Sequence, residues 1–241
     1  MSHVKEASCE EFVDGEEFTY DTICIDGVPA YENVAQYLPR PLIARTNEWI
    51  SPVIITVRKL DQPVIRPGIA LGRGVLDALG MGTGFTHMEW YRKADGEVVF
   101  GEIGCRVGGA RLIDQMNYTS DVDLFREWAR AVCWKTIEAD LTRKYNTAII
   151  FKRAQGDGVI RERDGVAAFH RRFGPTVVWD NLLPVGARRR NWKPRPQPLH
   201  RLFHHPSPRR APALQPPKSC RSHSGSRAPT ARKSKAGASA S

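Results

Sequence analysis

The sequence contains no stretch approaching the roughly 18 apolar residues that span a bilayer, and residues 1–12 lack the apolar core of a signal peptide. No membrane association or secretion is expected. Cysteine is scarce: Cys9, Cys24, Cys105, Cys133 and Cys220 form an odd set without a C-x-x-C pair. That pattern argues against a disulfide framework or a zinc site and suits a reducing cytosol, so the expected location is cytoplasmic. Acidic residues are missing altogether beyond Asp180. Residues 1–186 hold 22 Lys and Arg against 26 Asp and Glu, a balance of −4, whereas residues 187–241 hold 14 Lys and Arg and no acid, a balance of +14. The overall charge of +10 therefore reflects a basic tail, not a basic surface on a fold.

The tail also holds nine of the 17 prolines and four of the seven histidines, and it shows no apolar period. Such a composition cannot bury enough surface to offset ordering entropy, so residues 188–241 are expected to be disordered and residues 1–187 to form one domain. A segment of this charge would bind phosphate backbones nonspecifically. Nucleic acid is thus a conceivable partner only through the tail. The abrupt change of texture after Asn191-Trp192-Lys193 resembles a GC-rich gene read out of frame.

Within residues 1–187, Phe18 to Asp26 reads as a strand, Asp26-Gly27 as a turn and Val28 to Tyr37 as a returning strand. Val53 to Val57 is a β-rich run among prolines. Ile69 to Leu79 is a short helix with Leu76 and Leu79 on its buried side, stopped by Gly80. A second short helix runs to about Met116. A longer one follows, capped by Ser120 or Asp121, running to about Leu141 and burying Phe125, Trp128, Ala129, Val132 and Thr136. Thr147 to Lys152 and Thr176 to Trp179 read as strands flanking a small helix from Val166 to Phe173. The class is α+β, an antiparallel sheet packed with helices.

Neither Gly80-Met81-Gly82-Thr83-Gly84 nor Gly101-Glu102-Ile103-Gly104 matches a phosphate-cradling loop, since the first lacks a following Lys-Ser or Lys-Thr and the second lacks a dinucleotide fingerprint. Cys105 has no base that the sequence places beside it. The chemistry concentrates instead around Asp95-Gly96, a strong hairpin signal. A two-residue turn there pairs Ala94 with Glu97 and sets Glu89 opposite Glu102, His87 opposite Gly104 and Tyr91 opposite Phe100. Met88, Trp90, Val99 and Ile103 then share the other face, as a core-packed hairpin requires. Two carboxylates about 5 Å apart repel by about 3 kcal/mol at an effective dielectric of about 20, so a cation is expected between them. Hard oxygen ligands without a cysteine or histidine cluster point to Mg²⁺. The alternative is a pair of solvent-facing glutamates bridged by a nearby arginine or lysine. Arg106 shares the parity of Glu102, where it suits a phosphate or acyl phosphate and equally a salt bridge to Glu102. His87 lies on the same face, as a phosphate contact or as an ordinary sheet histidine.

In combination these segments carry a resemblance. Glu10-Glu11-Phe12-Val13-Asp14-Gly15-Glu16-Glu17-Phe18-Thr19 resembles the hinge of ATP-grasp enzymes. Thr86-His87-Met88-Glu89-Trp90, the Asp95-Gly96 turn, and Phe100-Gly101-Glu102-Ile103-Gly104-Cys105-Arg106-Val107-Gly108-Gly109 resemble that superfamily's H-x-E, turn and E-x-N-x-R-x-G-G. The resemblance spans about residues 10–185 and implies the C-terminal lobe of an ATP-grasp domain. It implies that Phe12 and Val13 contact adenine, that Glu10 sits near the adenine amino group and that Glu17 accepts from the ribose hydroxyls. His87 would approach phosphate, Glu89 and Glu102 would bind Mg²⁺ or Mn²⁺ bridging the ATP phosphates, and Arg106 would face the transferring phosphoryl group.

The implied function is ADP-forming carboxylate-amine or carboxylate-thiol ligation through an acyl phosphate, with substrates unspecified. Two departures qualify it. Gly104 replaces the usual metal-binding Asn, and only Lys5 precedes the hinge where the superfamily carries an upstream lobe with phosphate-binding lysines. The chain is thus expected to be shortened at its start, to lack an N-terminal lobe and to be poorly active alone. A non-catalytic remnant with weak nucleotide or metal binding is the alternative function.

Overall fold

The computed structural model describes residues 9–190; the expected tail disorder falls outside the described residues. The framework is one antiparallel sheet of six strands: β1 (Glu16–Ile25), β2 (Val28–Leu38), β3 (Val53–Thr56), β4 (Gly84–Arg92), β5 (Val98–Gly104) and β6 (Thr147–Ile150). Their spatial order is β5-β4-β1-β2-β3-β6. Helices α1 (Pro41–Thr46), α2 (Arg66–Ala78), α3 (Leu112–Ser120), α4 (Leu124–Trp134) and α5 (Val166–Phe173) complete the domain, with a 3₁₀ turn at Gly174–Thr176. Among the described residues no helix is long and apolar enough to cross a membrane. The expected α+β architecture is what forms, and Arg188 and Arg189 still bond to it at Val159 and Gly158.

Both faces of the sheet carry a core, because alternate residues of β1 and β4 point to opposite sides. On one face Phe18, Tyr20, Met88 and Trp90 pack with Ile65, Ile69 and Leu76 of the α2 region. This approach depends on missing side chains. A Cβ on Gly68 would lie 2.2 Å from the Trp90 ring, and one on Gly72 would lie 2.2 Å from Tyr20. On the other face Ile23, Tyr31, Ile54 and Phe85 pack with Leu112, Ile113 and Met116 of α3 and Leu124 and Ala131 of α4. That second face is polar elsewhere, with Glu17, Thr19 and Asp21 following one another at alternate positions of β1.

Several local expectations need correction. Helix α2 ends at Ala78, so Leu79 becomes the cap and is exposed. Helix α4 stops at Trp134, where Lys135 adopts a left-handed conformation, and its N-terminus is capped by Asp123, whose carboxylate accepts from the Phe125 and Arg126 amides. Its buried face is Leu124, Glu127 and Ala131, with Trp128 partly buried, while Phe125, Ala129, Val132 and Thr136 are exposed. A buried glutamate misled the periodicity: Glu127 accepts the Glu138 amide at 2.8 Å, so it lies inside as a satisfied polar group. Thr176 to Trp179 forms no strand; this run has no strand partner among the described residues, and Val178 is exposed.

Candidate functional site

The β4–β5 hairpin does not turn as its Asp-Gly pair suggests. Lys93 exchanges bonds with Glu97 (2.8 Å) and Gly96 (3.0 Å), so the loop is Ala94-Asp95-Gly96, with Gly96 at φ +91° and the Asp95 carboxylate accepting the Glu97 amide. Three-residue loops with a left-handed glycine are the next commonest hairpin solution. Pairing therefore begins one residue out of the expected step: Arg92 faces Val98, Tyr91 faces Val99 and Trp90 faces Phe100. Consequently Val98, not Val99, packs against the α2-side core. A bulge at Gly101 then restores the step. Glu89 faces Glu102 and His87 faces Gly104, as expected. Only glycine fits the bulge, since a Cβ there would lie 2.8 Å from the Glu89 carbonyl oxygen.

Two ladder rungs organise the site. One joins Ala35, Thr19, Glu89 and Glu102; the next joins Asn33, Asp21, His87 and Gly104. Glu89 is partly buried, whereas Glu102 is largely exposed at the edge strand. Arg106, beyond the strand, approaches Glu102 at 4.0 Å and donates to the Val107 carbonyl at 3.1 Å. Glu17 is 6% exposed, on the same face. Burial, reinforced by the charges of Glu89 and Glu102, pushes its carboxyl up to about 7 against the pull of Arg40.

His87 lies deeper than its position in the motif suggests. Its Nδ1 is 2.6 Å from Asp21 Oδ1 and its Nε2 is 3.6 Å from Glu89 Oε1. Gly108 closes over it, because a Cβ at that glycine would come within 2.9 Å of Nδ1. Burial opposes charge on the ring, yet the hydrogen bond to Asp21 and the nearby Glu89 carboxylate prevail and hold its pKa up at about 9. The His87 contact in turn holds Glu89 below the usual carboxylate range. At neutral pH the two facing glutamates thus have an internal cation on one side.

The incoming segment is pinned by Arg40, a residue sequence reasoning missed. Its guanidinium pairs with Asp14 at 2.8 Å, donates to the Val13 carbonyl at 3.4 Å and stacks over the Phe12 ring with 5.5 Å to the centroid. Phe12 and Glu10 are exposed on that segment. Also missed were Tyr37, whose hydroxyl donates to Glu89 Oε1 at 3.4 Å, and the buried pair Asp21 and Asn33. The available signal was the alternation of Glu17, Thr19 and Asp21 along β1, which marks a polar face running into the hairpin.

No family model matches the chain. Over 176 residues it is 23% identical to an L-arginine-specific L-amino acid ligase of Bacillus subtilis, covering 73% of this chain and 39% of that protein. The crystal structure of an L-amino acid ligase from Bacillus licheniformis superposes with a TM-score of 0.56 at 18% identity, covering 75% of this chain and 46% of the ligase. The domain shares its fold with the matching part of that ligase. The chain spans less than half the length of either ligase. Within this fold, the strands that pair here, β1 with β4 and β4 with β5, bring Glu17, His87, Glu89 and Glu102 onto one face, with Arg106 just beyond.

Proposed function

We propose that this domain is an ATP-grasp lobe that supplies nucleotide and metal contacts for an ADP-forming ligase joining a carboxylate to an amine or thiol through an acyl phosphate. The observation that carries the proposal is the facing of Glu89 and Glu102 beside the buried Glu17, at the end of the sheet where the Phe12–Asp14 segment enters. The donor set fits a divalent cation shared with phosphates. Two hard carboxylates face each other, the donor type Mg²⁺ takes together with phosphate oxygens, and among the described residues no group of three His, Cys, Asp or Glu side chains could hold an ion without such added ligands.

Glu89 and Glu102 would hold Mg²⁺ or Mn²⁺. The ion supplies charge neutralisation at phosphoryl oxygens. In this assignment Phe12 and Val13 line the adenine, Glu10 lies toward its amino group and Glu17 accepts from ribose, which asks for an ionised or hydrogen-bonded carboxyl there. Arg106 is half-exposed beside Glu102, and turned toward a phosphoryl group its planar guanidinium would hold oxygens bidentately. His87, enclosed by Asp21, Gly108 and Glu89, acts on phosphate through Glu89 rather than by reaching it.

A second reading, binding without turnover, draws on Gly104. That position offers no side-chain oxygen where the resemblance has Asn. The test is calorimetry of Mn²⁺ with ATP on the full chain. Wild type should bind, and Glu102→Ala should weaken binding by about tenfold or more. Equal binding by both would remove the hairpin from the site. Glu102-dependent ADP release with a panel of carboxylates and amines would favour ligation, and its absence would favour binding alone.

A further inference from the structure

Asp21 is fully buried beside an apolar core, a position in which a carboxylate must be compensated. Three donors converge on it: Thr19 Oγ1 at 2.8 Å, Asn33 Nδ2 at 3.1 Å and His87 Nδ1 at 2.6 Å. Asn33 is itself oriented, because its Oδ1 accepts from Arg143 Nη2 at 2.8 Å. Stability does not explain such an arrangement, since a buried ion pair is often no better than apolar residues of the same volume. Its geometric consequence is clearer. With Nδ1 fixed on Asp21 and Gly108 packed against the ring, His87 is directed along its own strand toward Glu89.

Both polar contacts of Glu89 fall on one oxygen. His87 Nε2 lies 3.6 Å from Oε1, and the Tyr37 hydroxyl donates to the same Oε1 at 3.4 Å. Among the described residues Oε2 has no hydrogen-bond or ion-pair partner. Opposite an ionised carboxylate, which can only accept, the Tyr37 hydroxyl is the donor of this pair.

We propose that Asp21, through the His87 ring, and Tyr37 are positioning residues that grip Glu89 by Oε1 and so present Oε2 to a divalent cation. The proposal rests on the reading of Glu89 and Glu102 as metal carboxylates. It places the elements that tune the metal on three adjacent strands: Tyr37 and Asn33 on β2, Asp21 on β1, and His87 and Glu89 on β4.

The test is Mn²⁺ titration by calorimetry, with and without ADP, on the full chain at neutral pH. It compares wild type with Glu89→Gln, Tyr37→Phe, Asp21→Asn and His87→Gln. Outer partners of a metal ligand typically contribute about tenfold or more in affinity, so Asp21→Asn and His87→Gln should each weaken Mn²⁺ by about tenfold, and Tyr37→Phe by several-fold. The ring-proton resonance of His87 should shift in Asp21→Asn, and the melting temperature of Tyr37→Phe should stay at the wild-type value while its Mn²⁺ affinity falls. Should Asp21→Asn fail to fold, Tyr37→Phe and His87→Gln decide. If those variants, folded, bind Mn²⁺ like wild type while Glu89→Gln does not, the positioning role is wrong and the metal carboxylates stand. If wild type takes up no Mn²⁺, or Glu89→Gln binds it equally, the metal site itself is wrong and the positioning role falls with it.

Discussion

Glu17 offers a direct measurement of the electrostatics of this face. Its carboxyl is raised from 4.5 to about 7 by burial first and then by the negative charge of Glu89 and Glu102. An acid whose folded pKa exceeds its unfolded value loses stability as pH rises from the unfolded pKa toward the folded one. In that window the native state holds a proton that the unfolded chain has released. Replacing Glu17 with Gln removes the titration while keeping the shape. Relative to a permanently neutral side chain, the wild-type glutamate costs about 0.8 kcal/mol at pH 5 and about 3 kcal/mol at pH 8, taking 1.36 kcal/mol per pKa unit. The second figure is an upper bound, because relaxation and water entry soften buried charges. Urea denaturation of wild type and Glu17→Gln at both pH values gives the comparison. Glu17→Gln should be more stable, with an advantage that grows by about 2 kcal/mol from pH 5 to pH 8. Groups remote from Glu17 titrate alike in the two proteins and cancel. An advantage of the same size at both pH values would show that Glu17 ionises normally, and the crowding of carboxylates inferred here would be wrong.

Other perturbations reach different parts of the structure. Gly72→Ala should destabilise by about 2 kcal/mol or more despite alanine's higher helix propensity, because the new Cβ would lie 2.2 Å from the ring of Tyr20, whose hydroxyl is tied to Glu32 at 2.6 Å. A chemical-denaturation curve checks this, and an unchanged midpoint would contradict the packing. Gly104→Asn should fold normally, since its Cβ meets only the flexible Arg106 chain at 3.3 Å, and should strengthen Mn²⁺ binding by about tenfold if ligand number limits affinity there. Unchanged affinity in calorimetry would mean that an Asn at this position does not reach the ion. Arg40→Ala should leave global stability within about 1 kcal/mol, because its ion pair with Asp14 is largely exposed on the carboxylate side. The same substitution should free residues 12–14, seen as faster amide exchange at Val13 and Asp14 with β1 unaffected.

The residues differ in how far the sequence alone could place them, and the reasons are physical. β1, β2 and their Asp26-Gly27 turn were legible because the turn chemistry and the alternation agree, and the chain pairs Ile25 with Val28 across that turn. Helix α4 was legible as a helix but not by face, since a buried Glu127 and an exposed Phe125 invert the usual polarity. The run Thr176 to Trp179 has strand-forming residues and, among the described residues, no strand beside it, and propensity without a neighbour makes no sheet. Asp21 and Asn33 could not be read as a pair, because their meeting depends on the β1–β2 register and on Arg143 arriving 110 residues after Asn33.

The carboxylate pair is the instructive case, because the expected register was right at Glu89 and Glu102 for a partly wrong reason. The Asp-Gly turn adds a residue to the loop, which by itself would have set Glu89 against Gly101 and turned Glu102 off the partner's face. The bulge at Gly101 absorbs that residue. Turn and bulge are therefore linked: either alone would separate the two carboxylates, and together they place them on one rung. Gly101 is required twice over, for the bulge and for its approach to the Glu89 carbonyl and the Tyr91 ring. A side chain there would act on the site without touching it, by driving the hairpin out of the register that brings Glu102 opposite Glu89.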